Sequence, residues 1–213
     1  MCGIFISAEG TDGAGKSTQL EFIKKYLEER KKDAVFLREP GGNAISEKIR
    51  NVILDTENIA MTPQTEALLY AASRIQLVNE VIMPALEEGK IVVCDRYIDS
   101  SIAYQGYGRK LTAEKIEEIN GFAISKCMPD MTLFFDLPPE KGILRKKNQH
   151  DLDRMEQESL DFHNRVYEGY ISLAEKYPKR IKRIDASMSV EKVWAETKKC
   201  LDELFDKLSL IHI

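Results

Sequence analysis

The chain has 213 residues, 43% of them hydrophobic and 31% charged, with a formal net charge of −4. That length supports one domain with a full core, and the acidic balance argues against a nucleic-acid polymer as partner. No apolar stretch approaches the ~20 residues that cross a bilayer, which argues against membrane association.

In chain order, Ile4-Phe5-Ile6 reads as a short buried strand, and Leu20, Ile23 and Leu27, with Phe22 and Tyr26 beside them, recur at helical spacing behind it. Ala34–Leu37 reads as a second strand, followed by a helix marked by Ile45, Ile49 and Val52. A longer helical pattern runs through Leu68, Ala71, Ile75, Val78, Ile82 and Leu86, with Pro84 predicted to kink or end it. Ile91–Cys94 and Thr132–Phe135 are apolar on successive residues, as strands covered on both faces are, and Ile116, Ile119 and Ala123 mark a helix between them. The segment 139–177 is charged and reads as helical, Arg180–Ile184 as a fifth strand, and 190–208 as a last helix. Strand–helix alternation of this kind predicts an α/β fold: a five-stranded parallel sheet with right-handed crossovers and helices on both faces. No internal repeat or Pro/Ser linker divides it, so one domain over 1–213 is expected. Cys2, Cys94, Cys127 and Cys200 lack C-x-x-C spacing, and no secretory signal opens the chain. Both point to reduced thiols and a cytoplasmic protein.

Between the first strand and its helix, Gly10-Thr11-Asp12-Gly13-Ala14-Gly15-Lys16-Ser17 matches G-x-x-x-x-G-K-[ST] without a mismatch. Glycines let successive N–H groups turn inward as an anion nest, and the helix that follows adds the positive end of its dipole. Lys16 reaches β- and γ-phosphates in such a loop, and the Ser17 hydroxyl can ligate Mg2+. The alternative is a glycine-rich surface turn. Neither N-K-x-D nor D-x-x-G occurs, which disfavours a GTPase switch. A motor ATPase would need partner modules for which the chain leaves little space.

Ligands of open α/β sheets collect beyond the carboxyl ends of the strands. Strand two runs into Arg38-Glu39-Pro40-Gly41-Gly42, and strand three into Asp95-Arg96-Tyr97, then Asp99-Ser100-Ser101 and Tyr104-Gln105-Gly106. Two arginines at that mouth suit a second anionic substrate, since guanidinium holds phosphate bidentately. Salt bridges of Arg38 with Glu39 and Arg96 with Asp95 are the structural alternative. Tyr70 and Arg74 lie four apart on one helix face, an aromatic ring for stacking on a base and a guanidinium for a carbonyl. Otherwise Tyr70 is core and Arg74 snorkels to solvent.

The ordered set E-G-x-D-G-A-G-K-S-T, R-E-P-G-G, Y-A-A-S-R, D-R-Y-x-D-S-S-x-A-Y-Q-G and L-D-R-M-E resembles bacterial thymidylate kinase over nearly the whole chain. The resemblance implies a three-layer P-loop nucleoside-monophosphate-kinase fold and Mg2+-dependent transfer from ATP, the phosphoryl donor, to dTMP, usually by a homodimer. It implies ATP on Gly10, Thr11, Asp12, Gly13, Ala14, Gly15, Lys16, Ser17 and Thr18, with Mg2+ held by Ser17, Asp12 and Asp95, partly through water. It places the dTMP phosphate on Arg38 and Arg96, near Glu39 and Pro40. Tyr70 would stack on thymine, Arg74 donate to its O4, Ser101 and Gln105 contact the base edge, Tyr104 lie against the deoxyribose, and Asp12 touch the 3′-hydroxyl. Position 43, commonly Thr in the family, is Asn43.

Some family members carry a catalytic arginine in the loop where this chain has Gly13; others place basic residues in a lid, here at about 140–156. Lys141, Arg145, Lys146, Lys147 and Arg154 crowd that segment, with Arg154 and Arg145 the leading catalytic candidates beside Lys16 and Arg96. The alternatives are a kinase of another nucleotide or deoxynucleoside, and a P-loop regulatory nucleotide-binding protein.

Overall fold

Ile4–Glu9 (β1), Ala34–Arg38 (β2), Ile91–Asp95 (β3), Met131–Asp136 (β4) and Ile181–Asp185 (β5) form one parallel sheet in the order β2-β3-β1-β4-β5. The structure is a computed structural model that describes residues 3–146 and 152–211. Cys2, Lys147 and the last two residues of the terminal Leu-Ile-His-Ile lie outside them. Pairing registers such as Phe5 opposite Val92 and Ile6 opposite Met131 put β1 at the centre. Successive strands fill the sheet on one side of β1 and then cross to the other, which opens a crevice beyond the carboxyl end of β1.

The helices are Lys16–Glu29 (α1), Ala44–Leu54 (α2), Pro63–Leu77 (α3), Met83–Glu87 (α4), Ile98–Ser101 (α5), Ala113–Ile119 (α6), Gly121–Ile124 (α7), Pro139–Lys146 (α8), Leu160–Lys176 (α9) and Val190–Ile211 (α10). α1 and α10 close one face of the sheet over Ile6, Val93, Leu133 and Phe135; α3 and α9 take part in closing the other over Phe5, Val92 and Phe134. No helix of the described residues is long and apolar enough to cross a membrane.

Three local outcomes differ from the sequence pattern. Pro84 does not end the helical run. The chain widens into a π-helical segment, Val78–Ile82, and continues as α4 with Pro84 in its first turn. Proline has no N–H to return to the carbonyl four residues back, and the wider turn accommodates the mismatch. A second π-helical segment, Ile102–Gly108, extends α5 and carries Tyr104 and Gln105. In α2 the helix is where the spacing put it, but the stripe faces the wrong way: Ile45 is 50% and Val52 46% exposed, while Ser46 and Ile53 are buried. On that buried face the Ser46 hydroxyl donates to Ser73 O of α3, and Ile53 is buried on the same face. Asn43 caps this helix, its Oδ1 accepting from Ser46 N at 2.7 Å, a task threonine performs equally.

Candidate active site

β1 runs three residues beyond its apolar start, through buried Ser7, Ala8 and Glu9, straight into the glycine loop. Gly15, at φ 85, stands at the start of α1. Lys16 is folded back over the loop, its Nζ donating to Gly10 O at 3.1 Å and Thr11 O at 3.2 Å. Burial first, then the charge of Arg96, lowers its pKa to about 8, so it stays cationic at neutral pH. Gly13, at φ 77, lies against the backbone of α8: a Cβ there would meet Gly142 O at 2.3 Å, and a Cβ on Gly142 would meet Asp12 O at 2.1 Å. Neither position has space for a side chain, which accounts for the absence of a loop arginine. Thr11 and Ala14 turn inward, Thr11 donating its hydroxyl to Leu137 O and Ala14 packing in the core.

A cleft of about 800 Å3 opens above this loop and spreads across the carboxyl ends of β1, β2 and β3. Its walls include Asp12, Gly13, Gly15, Lys16, Ser17 and Thr18 at one end and Arg38, Glu39, Pro40, Tyr70, Arg74, Ser101, Tyr104 and Gln105 at the other, with Asp95 and Arg96 between. Sequence positions as far apart as 12 and 105 thus meet on one surface. Gly10, Thr11 and Ala14 lie behind it. Arg50 and Ser100 also border the cleft; Ser100 falls within the Asp99-Ser100-Ser101 run after strand three, whereas no pattern around Arg50 announces it. The Arg50 Nη1 donates to Pro40 O at 2.8 Å, in the Arg38–Gly42 cluster.

Arg96 occupies the middle with φ 70, a left-handed backbone that a non-glycine residue adopts only when its surroundings hold it there. They do. Its N–H donates to Ala8 O; its Nη1 donates to Gly10 O, Ser100 Oγ and Tyr170 OH; and its Nη2 pairs with Asp12 at 2.8 Å. The guanidinium also lies 5.1 Å from the centroid of the Tyr104 ring, whose hydroxyl donates to Asp12 Oδ2. Asp12, not Asp95, is therefore the partner of Arg96.

Glu9, wholly buried behind Arg96, accepts from Tyr97 N at 2.7 Å, from Ser100 Oγ and from Tyr170 OH. Burial, then repulsion from Asp99, raises its pKa to about 7 against the opposing pull of Ser100 and Arg96. A carboxyl that binds its proton more tightly when folded stabilises the fold most at low pH, and that stabilisation is lost as pH rises from the ordinary carboxyl value of 4.5 to about 7. Glu9→Gln should flatten this part of the stability profile, changing the pH 5 to pH 8 difference by roughly 2–3 kcal/mol in urea unfolding. An unchanged pH slope in the variant would contradict the assignment.

On the far side, Arg38 pairs with Glu47 at 3.1 Å in a half-exposed bridge, not with Glu39. Glu39 is instead buried against Arg74, whose Nε donates to its Oε2 at 2.8 Å. Arg74 does not snorkel. It is 1% exposed, and its Nη1 donates to Ser101 Oγ and Asn120 Oδ1 while Nη2 donates to Tyr97 O. Every nitrogen of the guanidinium has a protein acceptor, so a base carbonyl at this wall would share Arg74 with them. Tyr70 presents its half-buried ring to the cleft, and burial raises its hydroxyl pKa, keeping it neutral.

The two lid arginines separate. Arg145 of α8 borders the cleft and donates to Gly13 O and Ala186 O, both at 3.3 Å. Arg154 does not reach it. Its Nε donates to Ile53 O at 2.7 Å, its Nη2 lies 2.8 Å from Glu66, and it is only 7% exposed. Asp153, Met155 and Glu156 border the cleft in its stead. Lys141 is exposed, only the backbone of Lys146 is described, and Lys147 lies outside the described residues.

The described His, Cys, Asp and Glu side chains form no cluster of three or more able to hold a metal by themselves. Mg2+ beside phosphates needs less, usually one or two protein oxygens with phosphate and water completing the octahedron. Asp95 Oδ1 is buried without a protein partner among the described residues, and Asp95 borders the same cleft as Ser17. That hard oxygen pair fits Mg2+.

A central parallel strand, a glycine loop and a cleft with cationic walls define a P-loop nucleotide kinase fold. The model of the thymidylate kinase family matches residues 8–197. Among curated proteins, the thymidylate kinase of Clostridium novyi is 52% identical over 92% of this chain and 97% of its own length. That of an Exiguobacterium species is 47% identical over 98% and 97%. The crystal structure of the thymidylate kinase from Ehrlichia chaffeensis superposes with a TM-score of 0.76 at 32% identity, covering 94% of this chain and 99% of that one. The chain belongs to the thymidylate kinase family.

Proposed function

We propose that the chain transfers the γ-phosphoryl group of ATP to the phosphate of dTMP, giving ADP and dTDP. The observation that carries this is the single cleft with an anion nest at one end and two arginines beside an aromatic wall at the other. Family membership supports the donor and the acceptor alike.

Phosphoryl transfer asks the protein for in-line placement of two polyanions and for neutralisation of charge as it shifts. In this reading the backbone of Gly10–Thr18 cradles the ATP phosphates, and Lys16 releases the Gly10 and Thr11 carbonyls to take the β- and γ-phosphates. Arg96 and Arg38 hold the dTMP phosphate, whose oxygen is already anionic, so no strong general base is needed. Tyr70 stacks on the base, Ser101, Gln105 and Arg74 meet its edge, and Tyr104 and Asp12 face the sugar beside Glu39 and Pro40. Ser17 and Asp95, with Asp12 near them, would hold Mg2+. Bound there, the ion would supply charge neutralisation during phosphoryl transfer.

Arg145 is assigned to the transferring group, and Arg154 is reassigned from that role to docking the lid. A single domain with its lid at about 140–156, closing to exclude water, completes the proposal. So do a cytoplasmic setting and a homodimer, the latter supported by exposed Ile45, Val52, Leu68 and Phe122 on helices that pack beside one another.

The decisive assay couples ADP release to Mg-ATP with dTMP, dUMP, UMP, CMP and thymidine as acceptors. The fastest turnover is expected with dTMP. ADP release independent of any acceptor, or fastest with thymidine or a ribonucleotide, would overturn the proposal.

A further inference from the structure

Gln105 borders the cleft, and which end of its amide it presents is settled from behind. Its Nε2 donates to Glu66 Oε1 at 3.0 Å. An ionised carboxylate only accepts, so the nitrogen is the end drawn to Glu66 and the Gln105 Oε1 is turned the other way. Among the described residues, no protein donor meets that oxygen.

Glu66 itself is fully buried in α3 and does not border the cleft. Arg109 grips it with Nε at 3.1 Å and Nη2 at 2.9 Å, and Arg154 approaches it at 2.8 Å. Burial pushes its carboxyl upward, but these partners outweigh burial and hold it below the usual range, ionised. Beside Gln105, Ser101 Oγ accepts from Arg74, which leaves its hydroxyl proton as a donor. The wall therefore offers a fixed acceptor next to a donor.

We propose that Glu66 is a positioning residue for base selection: by holding the amide nitrogen of Gln105 it fixes Oε1 as an acceptor, so the site takes a pyrimidine that carries hydrogen on N3 and rejects one with a lone pair there. Thymine and uracil qualify; cytosine does not. This rests on the reading of the cleft wall as the dTMP site. Without the carboxylate, the amide can turn over and offer Nε2 to the N3 of cytosine. The discrimination is built into a residue the nucleotide never touches.

Calorimetric titration of dTMP, dUMP, dCMP and ATP into full-length variants tests it. Glu66→Gln should lower the ratio of dCMP to dTMP dissociation constants by about tenfold or more, the worth of one misplaced hydrogen-bonding group, with ATP affinity unchanged. Gln105→Ala should lower the ratio similarly, and the double variant should add little, because both act through one contact. If Glu66→Gln does not fold, Glu66→Gln with Arg154→Met keeps the net charge of the cluster and serves in its place. An unchanged ratio beside a collapsed ratio in Gln105→Ala overturns the role of Glu66 alone. So does equal weakening of dTMP and dCMP, the signature of a merely structural residue. Wild-type binding of both nucleotides by Gln105→Ala overturns the base-site reading with it.

Discussion

Lys16→Ala is expected to lower kcat by at least about 100-fold while the protein stays folded, a loss typical of removing one charge-stabilising group from a transition state. Lys16 supplies the lysine on the cleft wall, at the first residue of α1, among the described residues. Its ammonium is nearly buried and tethered, among the described residues, to the Gly10 and Thr11 carbonyls, bonds that phosphate oxygens can replace. Alanine is a good helix former, and removing a charge whose pKa burial already lowers should cost the fold little. Turnover in the coupled assay, paired with thermal unfolding of the same variant, separates the two effects. A folded variant with a near-normal rate would remove Lys16 from the mechanism.

Arg74→Met should destabilise the protein by about 3–5 kcal/mol, the usual cost of removing one partner from a buried ion pair. Glu39 would be left with no cation, and its Oε1 has no partner even in the intact pair. Ser101, Asn120 and the Tyr97 carbonyl would lose their donor as well. The deficit should depend on pH. Burial raises the Glu39 pKa and Arg74 opposes that rise, so the variant carboxyl would move higher still and take up a proton on folding. Its folded form then gains stability below the raised value and loses it as pH climbs through it, which makes the deficit smaller at pH 5 than at pH 8. Urea unfolding at the two pH values measures this. Adding Glu39→Gln should recover part of the loss; a deficit under about 1 kcal/mol, or one independent of pH, would contradict the account.

How much of this was legible in the sequence depends on how local the cause is. The glycine loop was legible because its spacing, the strand before it and the helix after it are neighbours in the chain. Buried strands showed as apolar runs, yet β1 was read as ending at Ile6 because Ser7 and Glu9 carry no apolar signal. Their burial comes from β3, β4 and α9. The α2 periodicity revealed a helix but not its rotation, because the buried face includes Ser46, whose hydroxyl bonds Ser73 O across the helix pair and carries no apolar signal. Likewise the L-D-R-M-E motif identified Arg154 without its partner. Glu66 holds it from a distant helix, and no pattern around either residue announces that pairing. Arg38 and Arg96 were correctly read as lying at one mouth, since strand order places strand ends there. Their carboxylate partners turned out to be Glu47 and Asp12 rather than the adjacent residues.

The contact between Gly13 and Gly142 has a mechanical consequence. Where side chains separate two elements they act as springs, because rotamers absorb shifts of a few tenths of an ångström before the main chain moves. Here main chain rests on main chain, and nothing elastic lies between. A wider glycine loop would therefore press directly on the backbone of α8, the helix that carries Arg145.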